Sequence, residues 1–144
     1  MRIVTLVAVV LAIQVVSAQI ILGGGSQSSR VVGGWHSSEG GISVAQAVEE
    51  VCAAPELNGR VKELQNRLRG SKIFRYFTQV VAGKNSRLIL RTKRGLECFQ
   101  TYKHFSGSVT LTGYARGTCL KQVIQDCISS SGISKEELVE AIFA

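Results

Sequence analysis

Apolar residues change their spacing several times along this chain, and each change predicts a different element. From Ile3 to Val16 they run almost unbroken, interrupted only by Thr5 and Gln14, behind Arg2 and ahead of the small residues Ser17 and Ala18. That is the pattern of a secretory signal peptide over residues 1–18, cleaved before Gln19, and it is short for a membrane span. Residues 19–29 carry Gly23, Gly24, Gly25, Ser26, Ser28 and Ser29, the composition of a flexible segment. Between Ile42 and Arg69 the spacing becomes helical. Val44, Val48 and Val51, then Leu57, Val61, Leu64 and Leu68, recur at intervals of three and four with charged residues between them. Pro55 separates the two sets, and proline suits a helix's first turn but breaks its interior. Two short helices, or one long helix bent near Ala54, are expected, with Gly70 ending the second set.

From Lys72 the pattern becomes that of strands. Lys72 to Thr78 is rich in aromatic and β-branched residues, and Ser86 to Thr92 alternates across two faces, which predicts a hairpin with its tip at Gln79 to Gly83. Hairpin tips are normally polar. An apolar tip carried on two strands is better suited to insertion into a partner than to exposure in water. Lys93-Arg94-Gly95 then reads as a tight turn into a strand from Leu96 to Lys103, and the chain returns through Ser108 to Tyr114. These strands alternate well enough for one face to cover a helix. Beyond them, Leu120 to Ile128 reads as helical, and Ser134-Lys135-Glu136-Glu137 has the Ser-x-x-Glu form of a capping box opening a short helix through Leu138, Val139, Ile142 and Phe143. This tail is expected to dock on the first helix.

The tip, Gln79-Val80-Val81-Ala82-Gly83, has the form Gln-x-Val-x-Gly. Arg30-Val31-Val32-Gly33-Gly34 lies upstream of it, and Cys98-Phe99-Gln100-Thr101-Tyr102, Gly107-Ser108-Val109-Thr110-Leu111 and Cys119 follow in order. Across residues 30–119 this ordered set resembles the secreted (type 2) cystatins, and it is far more specific than the tip alone. The resemblance implies an α+β, cystatin-like fold in which an antiparallel β-sheet wraps around a long helix; residues 120–144, read as helical from their own pattern, lie beyond it as a C-terminal extension. It also implies a secreted, extracellular, monomeric protein that is not an enzyme. Such a protein inhibits papain-like cysteine proteases of the cathepsin L and B type, reversibly and tightly, by filling the active-site cleft. The residues it assigns to protease binding are Val31, Val32 and Gly33, Gln79, Val80, Val81, Ala82 and Gly83, and His104 and Phe105. The last pair stands where the family usually carries Pro-Trp. A phenylalanine offers less area than an indole, lacks its N–H donor, and the missing proline leaves the loop looser before binding. Burial at ~25 cal/mol per Å2 sizes the loss at about 1 kcal/mol, roughly fivefold to tenfold in affinity. Inhibition of legumain, a second cystatin activity, is not expected, because Gly70-Ser71-Lys72 offers no asparagine and Asn66 falls within the helical pattern.

Composition narrows the alternatives. Removing residues 1–18 from the 144 leaves 126, enough for a single domain, and the formal charge falls from +7 to +6 with Arg2. Arg60, Lys62, Arg67, Arg69, Lys72, Arg75, Lys84, Arg87, Arg91, Lys93 and Arg94 are spread over helix, strands and turns. That dispersal favours a soluble basic surface over a nucleic-acid or membrane partner and leaves room for weak heparin or membrane affinity. The alternative function is a non-inhibitory, cationic binding or antimicrobial protein, favoured by the Phe105 loop and the added C-terminal segment. Arg30-Val31-Val32-Gly33-Gly34 also resembles the activation junction of a trypsin-like protease, but the remaining chain is about half a protease domain and has no Gly-Asp-Ser-Gly. Four cysteines behind a signal peptide read as two disulfides with three possible connectivities. The resemblance implies Cys98–Cys119, and with it Cys52–Cys127. His36 and His104 lie far apart and no Cys-x-x-Cys pair exists, so neither a metal nor a cofactor is expected.

Overall fold

Ser43 opens the first helix with a reciprocal cap: its hydroxyl accepts from the Gln46 N–H at 3.1 Å, and the Gln46 side chain accepts from the Ser43 N–H at 2.9 Å. In the computed structural model, which describes residues 34–144, this helix, α1, spans Val44–Cys52. Pro55 starts a 3-10 turn, Pro55–Leu57, where its missing N–H costs nothing, and a second helix, α2, runs over Val61–Leu68. Helical spacing on both sides of the proline therefore gives two helices. A short strand β1, Trp35–Ser37, precedes them, and the strands β2 (Lys72–Val81), β3 (Gly83–Thr92), β4 (Gly95–Lys103) and β5 (Val109–Gly117) follow. Two more helices, α3 (Leu120–Ser129) and α4 (Lys135–Phe143), end the chain. The expected signal peptide, the segment 19–29 and the trunk residues Val31, Val32 and Gly33 lie outside the described residues.

The protein is α+β, with one five-stranded antiparallel sheet in the order β1-β2-β3-β4-β5. Successive side chains on a strand point to opposite faces, and here both faces are used. On the first face Leu88, Leu90, Phe99 and Leu111 pack with Val48, Val51, Leu64 and Leu68 of α1 and α2, and α4 adds Leu138 and Ile142 to the same core. On the opposite face Ile89, Leu96 and Cys98 pack with Val123 and Cys127 of α3. Fully burying a side chain of this size is worth ~1.5–3 kcal/mol, so the last 25 residues, 120–144, stabilise the domain from both sides. Ser134 caps α4 as the Ser-x-x-Glu pattern predicts, accepting from the Glu137 N–H at 3.2 Å.

The docking of this tail differs from the expectation. Only α4 reaches the helical side of the sheet, where it meets the 3-10 turn at Pro55–Leu57, while α3 crosses the opposite face over β4 and β5. The disulfide differs with it: Cys98 pairs with Cys127, Cα atoms 6.1 Å apart, and Cys52 and Cys119 are free. Cys98–Cys119 and Cys52–Cys127 are thus both replaced. Sheet register explains the change. Ala115 stands opposite Cys98, so Cys119 falls beyond the end of β5, exposed at the N-cap of α3. The helix then turns its Val123–Cys127 stripe, spaced i to i+4, back onto Cys98. Cys52 is half-buried at the end of α1, and burial raises its thiol pKa. Non-reducing peptide mapping is expected to recover Cys98 linked to Cys127, across a sequence separation of 29 residues. Replacing both by alanine should cost about 3–4 kcal/mol in denaturant unfolding. Recovery of a Cys98–Cys119 peptide would overturn this assignment.

Glu97 is the one fully buried carboxylate among the described residues. It sits on β4 facing the helices, where Arg67 of α2 donates to both of its oxygens at 2.8 and 2.9 Å. Thr92 and Tyr114 add donors at 2.7 and 2.5 Å. Burial, and beside it Glu97, hold the Tyr114 phenol well above the usual tyrosine range, so it stays a donor. Arg67 also donates to the Ile142 carbonyl at 2.9 Å, and Arg94 bonds the carbonyls of Ile142 and Ala144, fixing the end of α4.

Candidate functional site

The β2–β3 hairpin turns through Ala82 alone, with Val80 opposite Lys84 and Val81 opposite Gly83. Long-range ties hold its shank. On the helical side Lys84 pairs with Glu50 of α1 at 3.0 Å, and the Tyr76 hydroxyl donates to the same carboxylate at 2.8 Å. On the other side Asn85 donates to Gln79 at 2.8 Å across the ladder. The tip itself projects beyond these ties.

Register then decides what stands beside the tip. Lys84 pairs with Lys103, so the β4–β5 connection begins level with the end of the hairpin. That connection is a closed turn: His104 N–H donates to Ser108 at 2.8 Å, and Gly107 N–H donates back to His104 at 2.9 Å. Phe105 stands at its apex, 89% exposed, while Val80 and Val81 are 52% and 36% exposed. These three are the only exposed large hydrophobic side chains among the described residues. Large apolar groups left in water on neighbouring loops mark a surface made to be covered. The chain also enters the described residues at this end, since Trp35 pairs with Gln79.

Of the predicted site residues, the structure therefore brings together Gln79, Val80, Val81, Ala82, Gly83, His104 and Phe105. Val31, Val32 and Gly33 lie outside the described residues. Tyr102 joins the two tips and was not among the predicted site residues: its hydroxyl donates to the Ala82 carbonyl, and its ring meets His104 edge-on at 4.6 Å between centroids. The available signal was strand alternation, which puts the last aromatic of β4 on the same face as Asn85. Gly83 completes the junction. Its φ is +130°, and a Cβ there would lie 2.5 Å from the Lys103 carbonyl oxygen and 2.6 Å from the Tyr102 hydroxyl. Only glycine allows both the backbone angle and the close approach.

No cluster of His, Cys, Asp or Glu that could hold a metal ion occurs among the described residues. Nor is any described helix long and apolar enough to cross a membrane. The chain matches no protein-family model and no curated protein. Fold and site together define an α+β protein with two adjacent apolar tips at one end of an antiparallel sheet.

Proposed function

We propose that this is a secreted, cystatin-like inhibitor of papain-like cysteine proteases, acting as a monomer and without a covalent bond to the catalytic cysteine. The observation that carries the reading is the grouping of Val80, Val81 and Phe105, the exposed large apolar residues among those described, on adjacent tips of a Gln79-x-Val81-x-Gly83 hairpin and its neighbour. In this reading the tips enter the protease cleft side by side. Val80, Val81 and Phe105 contribute apolar burial on either side of the catalytic cysteine, and the backbone at Ala82 and Gly83 passes close to it. Tyr102, Lys84–Glu50 and the closed turn at His104 order the tips before binding, so little conformational entropy is lost on association. Residues 31–33 would extend the wedge along the cleft. Cathepsin L- and B-type enzymes are the expected targets.

The test is a titration of papain with the purified, disulfide-bonded protein, with trypsin as control. Stoichiometric inhibition at nanomolar concentration, insensitive to added salt and absent with trypsin, is the expected result, since apolar contacts are not screened by ions. No inhibition at micromolar concentration would reject the reading.

A further inference from the structure

Cations scattered along the sequence are gathered by the register of the sheet. On β3, Arg87 and Arg91 flank Ile89 and share its face, the one α3 covers over β4 and β5. Arg75 of β2 pairs with Ile89, and Lys72 pairs with Arg91. Cross-strand partners lie on one face, so all four cations occupy the part of the opposite face formed by β2 and β3. Neighbouring strands are about 4.8 Å apart and each residue advances about 3.4 Å, giving a strip roughly 14 Å long.

Two aromatic residues on this face are engaged by these cations, while Phe77, opposite Arg87, packs against the Ile89 cluster. The Arg87 guanidinium lies 4.1 Å from the Trp35 ring centroid, and Arg75 and Arg91 each lie 4.7 Å from that of Phe74. A guanidinium stacked on a ring keeps donor N–H groups at its edge for an anion. Ion pairs among the described residues are Arg60–Glu63, Arg67–Glu97 and Lys84–Glu50, so none of these four cations pairs with a described carboxylate. Arg87 donates to the neutral Gln100 at 2.8 Å, and burial lowers its pKa to about 10. A cation held partly out of water without a counter-charge is stabilised by an arriving anion.

We propose that Lys72, Arg75, Arg87 and Arg91 form a docking strip for a linear sulfated polysaccharide, with its sulfates placed over the four cations. Three observations select this polyanion. The guanidiniums stack on Trp35 and Phe74 and compete there with nucleic-acid bases for the ring faces. Among the described residues the exposed large apolar side chains lie on the hairpin tips, so the strip itself has none to bury in a bilayer. The Cys98–Cys127 disulfide suits an oxidising, extracellular setting, where sulfated polysaccharides occur.

The experiment titrates the disulfide-bonded chain of residues 19–144 with heparin at several salt concentrations. Four contacts at ~0.7–0.9 each predict a slope of log K against log salt of about −3. Lys72→Gln/Arg91→Gln removes two exposed cations and should weaken binding at least about tenfold. Lys62→Gln/Arg69→Gln removes equal charge from exposed positions in and just after α2, and should change it by less than about twofold. Equal losses in the two variants would overturn the proposal, as would undiminished binding of chemically desulfated heparin. So would tighter binding, at the same salt, to phosphatidylserine vesicles or to single-stranded DNA. The readout is independent of protease inhibition, so the two readings stand or fall separately.

Discussion

Gly83→Trp is expected to abolish papain inhibition, raising the inhibition constant at least about a hundredfold, equivalent to about 2.7 kcal/mol. Two costs combine at this position. A side chain cannot take φ +130° without strain of order 1–3 kcal/mol. Its Cβ would also overlap the Lys103 carbonyl oxygen and the Tyr102 hydroxyl, at 2.5 and 2.6 Å, and the first of these is backbone that cannot swing away. Relief requires the hairpin tip to move off the β4–β5 connection, which breaks the Tyr102–Ala82 hydrogen bond and separates Val80 and Val81 from Phe105. The indole would then add bulk at the surface that must approach the protease. Tyr102→Phe is the milder companion, losing the hydroxyl while keeping the ring, and should weaken inhibition without eliminating it. The core residues lie away from this tip, so far-ultraviolet circular dichroism of Gly83→Trp should remain that of the parent. A variant inhibiting papain as strongly as the parent would show that the hairpin is not inserted into the cleft.

Arg67→Met is expected to be the most destabilising single change away from the apolar core, costing ~3–5 kcal/mol in denaturant unfolding. Glu97 is fully buried, and Arg67 is the cation that neutralises it. Without that guanidinium the carboxylate keeps only the neutral donors Thr92 and Tyr114, and the Ile142 carbonyl loses one of its two arginines. Removing both charges with Arg67→Met/Glu97→Gln should recover part of the loss, because no unpaired charge then remains inside. Arg60–Glu63 gives the contrast. Its side chains are 42% and 55% exposed, so Glu63→Ala should change stability by less than ~1 kcal/mol. Equal effects of Arg67→Met and Glu63→Ala would mean that Glu97 is not held by its ion pair.

The sequence by itself determined the elements whose signals are local. Aromatic and β-branched residues over Lys72 to Thr78 and alternation over Ser86 to Thr92 specified the hairpin, valine and leucine spacing around Pro55 specified α1 and α2, and Ser134 with Glu137 specified the start of α4. The apolar tip was legible for the same reason, since five adjacent residues carry it. What those elements meet was decided only by the tertiary structure. Sheet register set Ala115 and not Cys119 opposite Cys98, and helix packing then brought Cys127 to it. Register likewise put Lys72 beside Arg91 and Lys84 beside Lys103, bringing separated cations onto one face and two separate loops to one end of the sheet. Glu97 and Arg67, thirty residues apart, became a buried pair because α2 crosses β4. Periodicity is a property of neighbours along the chain, whereas partners across a sheet or between a helix and a strand are fixed by which packing buries the most apolar surface without leaving a polar group alone.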